Sequence, residues 1–180
     1  CGAVAQSDSS EPRAEIQINL CAPPQTIFQG LALHPDGAVP TEAWYFDTPG
    51  LQLAQRGLVF RLRQGDRQPE LTLKVANQDC TRIQSGWIPR GEGKCEYDNH
   101  GGLFSGSVSL SRMLDEESAR ALTKGRLPLE QALGPAQIAY LRGVVSAWPL
   151  VSGIRPLGPA HIRQYRGEKA GFDVNVWTLP

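Results

Sequence analysis

The stretch Leu58-Val59-Phe60-Arg61-Leu62-Arg63, a turn at Gly65-Asp66, and then Leu71-Thr72-Leu73-Lys74-Val75 decides the reading of this chain. Successive side chains of a strand point to opposite faces. Leu58, Phe60 and Leu62 therefore oppose Arg61 and Arg63, and Leu71, Leu73 and Val75 oppose Thr72 and Lys74. The pattern predicts two antiparallel strands, each with one apolar face and one charged face.

The same alternation recurs outward from this pair. Ala14 to Leu20 sets Ile16, Ile18 and Leu20 against Glu15, Gln17 and Asn19. Lys94 to Asp98 sets Cys95 and Tyr97 against Lys94, Glu96 and Asp98. Glu42 to Asp47, Ala160 to Arg166 and Gly171 to Thr178 also read as strands, and Arg163 shares a face with His161 and Tyr165. Helical signals lie at Thr26 to Leu33, Leu51 to Gln55, Ser111 to Lys124 and Pro135 to Trp148. In the third, Asp115, Glu116 and Glu117 come early and Lys124 late, as the helix dipole prefers. The fourth opens on Pro at a permitted first-turn position. Many antiparallel strands with a helical insertion make an α+β pattern, without a repeat.

An antiparallel sheet with one wet side gives this alternation too. What distinguishes the pattern is the kind of charge. Two arginines on one strand with lysines on its neighbours suit phosphate, since Arg offers a planar fork of donors and Lys a point charge. Carboxylates among them suit Mg²⁺ or Mn²⁺, which bridge phosphate oxygens. The candidate anion-binding residues are Arg61, Arg63, Lys74, Lys94 and Arg163; the candidate metal ligands are Glu15, Glu96 and Asp98.

The ordered run Tyr45-Phe46-Asp47-Thr48-Pro49, then Leu51, Leu53, Ala54 and Gly57, then the two strands through Lys74, resembles the CYTH domain, or triphosphate tunnel metalloenzyme family. Lys94-Cys95-Glu96-Tyr97-Asp98 is similar to that family's later basic-x-acid-x-acid strand. The resemblance implies an antiparallel β-barrel or tunnel of about eight strands, with the charged faces lining its lumen. Residues 1–12, small and polar with nothing to pack, read as a flexible linker, and residues 13–180 as the CYTH-like domain. It implies a small phosphorylated anion as ligand and metal-dependent triphosphate hydrolysis as the activity. The chain departs from the family in two places. The E-x-E-x-K strand reads Glu15-Ile16-Gln17-Ile18-Asn19, so one carboxylate has become an amide and the lysine an Asn. The closing acidic strand is not found before Pro180, so that either this is a fragment or the tunnel is open on one side. Both departures favour an alternative, a non-catalytic binding module with the same tunnel.

The beginning, Cys1-Gly2-Ala3-Val4-Ala5 before a Ser/Asp-containing stretch, looks like a bacterial lipoprotein with Cys1 lipidated. On that reading the protein is tethered to a membrane at the cell envelope or periplasm; the other reading is a fragment that starts at Cys, with a cytoplasmic location. Cys80 and Cys95 either pair, closing a loop of about 15 residues, or stay as buried thiols. No C-x-x-C occurs, which argues against structural zinc.

Over 180 residues, 18 basic and 18 acidic side chains cancel, which argues against a nucleic-acid-coating protein. Apolar residues at 41% and charged residues at 20% describe a globular chain. Gly91-Glu92-Gly93-Lys94 lacks the Walker spacing and reads as a hairpin turn. His34 and His100 sit at turns, and His161 is placed as a lumen-lining residue. Trp44, Trp87, Trp148 and Trp177 are scattered and read as anchors in the core or at the surface rather than as base-stacking platforms.

Overall fold

The computed structural model describes residues 13–16, 24–31, 38–82, 88, 93–100, 103–169 and 172–178. Eight strands form one sheet: β1 (Arg13–Ile16), β2 (Val39–Asp47), β3 (Leu58–Gln64), β4 (Glu70–Ala76), β5 (Gly93–His100), β6 (Leu103–Met113), β7 (Arg155–Lys169) and β8 (Phe172–Thr178). Their order is β1-β5-β6-β4-β3-β2-β7-β8. All neighbours pair antiparallel except β1 with β5, which run parallel. The sheet curls into a half-barrel with β1 and β8 at its edges, and the helices complete an α+β architecture. The helices are α1 (Pro24–Leu31), α2 (Gln52–Gln55), α3 (Glu116–Thr123), α4 (Leu129–Ala132) and α5 (Pro135–Gly143); none is long and apolar enough to cross a membrane.

The apolar faces read from the sequence form the core. Leu58, Phe60, Leu62, Leu71, Leu73, Val75, Val108 and Leu110 are buried together. Leu53 of α2, Ala119 and Leu122 of α3, and Tyr140 and Leu141 of α5 pack into the same cluster. Burying a large apolar side chain contributes about 1.5–3 kcal/mol, so this face sets the side on which the helices sit. A smaller cluster joins α1 to β7, where the rings of Phe28 and Tyr165 pack at a 45° tilt with centroids 4.4 Å apart. Asp47 is buried between β2 and α2. Its carboxylate accepts from the backbone N–H of Thr48 at 2.7 Å and from those of Leu53 and Ala54 at 2.9 Å, which explains an acid in the Tyr45–Pro49 run.

Two expected helices needed correction, and two elements were not expected. β6 reads Leu-Phe-Ser-Gly-Ser-Val-Ser-Leu-Ser-Arg-Met, and its serines concealed a strand. Ser111 to Met113 are the end of β6, so the helix expected from Ser111 begins only at Glu116. There Asp115 caps it, accepting from the Ser118 N–H at 2.7 Å. The helix expected to reach Trp148 ends at Gly143, and α4 was not expected at all. Residues 17–20 of the expected first strand, with Gln17 and Asn19, lie outside the described residues, as do Cys1 and the linker over residues 1–12.

Cys80 and Cys95 form a disulfide, Cα to Cα 5.6 Å. It ties the turn after β4 to β5.

Candidate functional site

The face of the sheet turned away from the helical core carries the charged residues. Register fixes how they meet, because directly paired residues share a face. Arg61 of β3 lies between Tyr45 of β2 and Thr72 of β4. Arg63 lies between Ala43 and Glu70. Lys74 lies between Val59 and Ser109, and Lys94 reaches the same Ser109 from β5. Glu96 faces Ser107. Arg61, Arg63, Lys74, Lys94 and Glu96 therefore come to one curved face. Asp98 is paired in backbone register with Ser105 on one side and Glu15 on the other. The side chains of Glu15 and Asp98 lie outside the described residues.

Arg163 is not brought to this face. It pairs with Pro40 of β2 and Thr178 of β8, whereas its neighbour Gln164 pairs with Val39 and Trp177. Gln164 and Trp177 share the face of Arg63, so Arg163 points to the other side and is exposed. His161 follows it there, with Nδ1 3.7 Å from the Glu42 carboxylate, instead of lining the lumen. The physical cause is Tyr165, which needs the outward face of β7 to pack against Phe28.

Several residues on the concave face were missed. β6 presents Ser105, Ser107, Ser109 and Ser111 in alternation, and Ser111 Oγ lies 3.1 Å from Thr72 Oγ1. β7 supplies Gln164 and Arg166. Arg166 donates to Gln164 Oε1 at 3.2 Å, and Gln164 Nε2 donates to Asn175 Oδ1 at 3.1 Å. β8 supplies Trp177, and the Arg63 guanidinium carbon sits 4.8 Å from the centre of its ring. Of the other tryptophans, Trp44 and Trp148 pack against the core as expected, and Trp87 lies outside the described residues.

The electrostatics of this face are unbalanced. The Nε atoms of Arg61 and Arg63 are both buried without a hydrogen-bond partner. Neither guanidinium forms an ion pair among the described residues. Burial, with the neighbouring Arg61 second, lowers the Arg63 pKa to about 10. A buried donor without a partner costs about 1–3 kcal/mol, so a group supplying acceptors and negative charge here removes a cost already present in the fold. Lys94 donates to Glu96 at 2.7 Å, so Glu96 is buried on the face already paired. Among the described residues no three of His, Cys, Asp and Glu gather at one point.

Comparison with known proteins supports the fold. No family model matches the chain, and no curated protein matches it either. Eight solved chains match in structure. One is HpAC1 from Hippeastrum, a protein named for adenylyl cyclases and described as having a dominant triphosphatase activity, at a TM-score of 0.58 and 13% identity over 87% of this chain. This chain spans 66% of the length of that one. Another is a protein from Bacillus halodurans named for adenylate cyclases, with a TM-score of 0.47 and 16% identity over 84% of this chain and 70% of that one. The likeness to the Hippeastrum structure makes the half-barrel a CYTH-like fold.

Proposed function

We propose that the concave face of the half-barrel binds a triphosphate or a related phosphorylated anion. The observation that carries this is the pair Arg61 and Arg63, adjacent on one face, with buried unpartnered Nε donors and no ion pair among the described residues. Arg61 supplies a fork of N–H donors, and Lys74, diagonal to it across the β3–β4 ladder, adds a point charge. Ser109, set between Lys74 and Lys94, offers a neutral hydroxyl donor at the same level. The likeness to the Hippeastrum protein supports the same class of ligand.

Hydrolysis assisted by Mg²⁺ or Mn²⁺ is the enzymatic form of this reading, with Glu15, Glu96 and Asp98 as the residues to hold the ion. Of these, Glu96 alone has a described side chain, and its carboxylate is already taken up by Lys94; the sequence also puts an amide at residue 17, where the resemblance implies a further carboxylate. No step is therefore routed through a metal. That donor chemistry favours the second form of the reading, capture of the anion without turnover.

Phosphate release from tripolyphosphate, assayed with Mg²⁺ and with Mn²⁺ alongside calorimetric binding, separates the two. Binding without release supports capture. Release that stops on Arg61→Ala supports the enzyme. Neither binding nor release ends the proposal.

A further inference from the structure

The geometry points to a second subsite beside the anion grip, a stacking platform made by Trp177 and Arg63 that takes a planar ring carried by the same ligand. This rests on the anion reading above and deepens it, because it selects ring-bearing phosphorylated ligands over bare inorganic polyphosphate.

Trp177 sits on β8, at the edge of the sheet, yet its ring lies against Arg63 of β3, with β2 and β7 between their strands. Strands are about 4.8 Å apart, so a flat sheet would set these backbones roughly 14 Å apart. The curl folds the rim inward and brings the ring over the trough. The contact also divides the roles of the two arginines. The Arg63 guanidinium lies over an aromatic face, whereas Arg61 has no such partner among the described residues.

A stacked guanidinium and indole present flat surfaces to a further ring, and Arg planes and aromatic side chains are the groups on which bases stack. Trp177 and Tyr45 each keep 38% of their surface exposed on this face, an unusual allowance for two large aromatic rings beside a charged site. The neighbouring position is rigid: Gln164, 7% exposed and directly paired with Trp177 in the β7–β8 ladder, is fixed by Asn175 and Arg166. A ring stacked here has its phosphate chain directed along β3 toward Arg61 and Lys74, the neighbouring positions on the same face. Trp177 thus has a role beyond that of a surface anchor.

The test compares Kd by calorimetry for tripolyphosphate, adenosine triphosphate and uridine triphosphate, on the full chain and on Trp177→Ala and Trp177→Phe. Stacking of one ring is expected to make at least one nucleotide bind about tenfold tighter than tripolyphosphate. In Trp177→Ala that ratio falls to near one, and in Trp177→Phe it is intermediate. Quenching of tryptophan fluorescence by the nucleotide, lost in Trp177→Phe, provides a readout should the alanine variant fail to fold. A ratio near one in the unaltered protein, or a tenfold ratio that survives Trp177→Ala with quenching unchanged in Trp177→Phe, overturns the platform while leaving the anion site intact. Failure of tripolyphosphate and both nucleotides to bind overturns the anion reading and the platform with it.

Discussion

The backbone N–H of Gln78 donates to the Gly106 carbonyl at 2.9 Å, which carries the chain leaving β4 across the helix-side face of β6. Two further ties hold this crossing. The Tyr140 hydroxyl of α5 donates to Gln78 Oε1 at 2.9 Å, and Cys80 is bonded to Cys95 on the far side of β6. The strap therefore clamps β5, the strand of Lys94 and Glu96, to the rest of the sheet. A Cβ at residue 106 would strike the Gln78 carbonyl. Gly106→Ala is expected to destabilise the protein by about 3 kcal/mol, read by urea denaturation. Gly30→Ala in α1, where no atom lies within 4 Å of the added methyl, is expected to raise stability by up to about 1 kcal/mol.

The disulfide closes the loop between β4 and β5. Replacing both Cys80 and Cys95 with Ser is expected to cost about 3 kcal/mol in the same measurement. An equal loss should appear in the unaltered protein on reduction, and no further loss on reducing the double variant.

Gln137 is an amide 1% exposed in the core. Its Oε1 accepts from the Gly134 N–H at 2.9 Å, and its Nε2 donates to the carbonyls of Leu71 at 3.0 Å and Leu110 at 2.9 Å. It joins the start of α5 to β4 and β6. Gln137→Leu removes these three hydrogen bonds from buried groups and is expected to cost about 1–3 kcal/mol. Gln137→Glu keeps the size but aims negative charge at two carbonyl oxygens. It should cost more at pH 8 than at pH 4, where protonation restores a donor.

Asp115 caps α3, and its hydrogen bonds from the Ser118 backbone and hydroxyl lower its pKa below the ordinary 3.8. A carboxyl whose folded pKa is depressed adds stability that is complete above the unfolded value and lost as pH falls through the folded one. The melting temperature of Asp115→Ala is therefore expected to lie below that of the unaltered protein at pH 7, with the gap closing below pH 3.8. A gap that persists unchanged to pH 2 would show that the cap does not act through its charge.

The sheet was legible where apolar and charged residues alternate. Leu58 to Arg63 and Leu71 to Val75 gave both the strands and their buried faces. β6 was not legible, because serine carries little preference for a strand and marks loops as readily. Its register between Lys74 and Lys94 is what makes it part of the site. β7 misled for another reason. Both of its faces mix polar and apolar groups, and only the packing of Tyr165 on Phe28 selects the face of Gln164 and Arg166 over that of Arg163. Trp177 stands far from Arg63 in sequence, and nothing local announces that a curled sheet will stack them.

The most direct test of the account is calorimetric binding of tripolyphosphate to Arg61→Ala and Arg163→Ala, two arginines that sequence reading placed in one group and the structure sets on opposite faces. Loss of charge-assisted hydrogen bonds is expected to weaken binding by about tenfold or more in Arg61→Ala. Arg163→Ala is expected to bind as the unaltered protein does. Equal weakening in both variants, or none in Arg61→Ala, would contradict a site on the concave face.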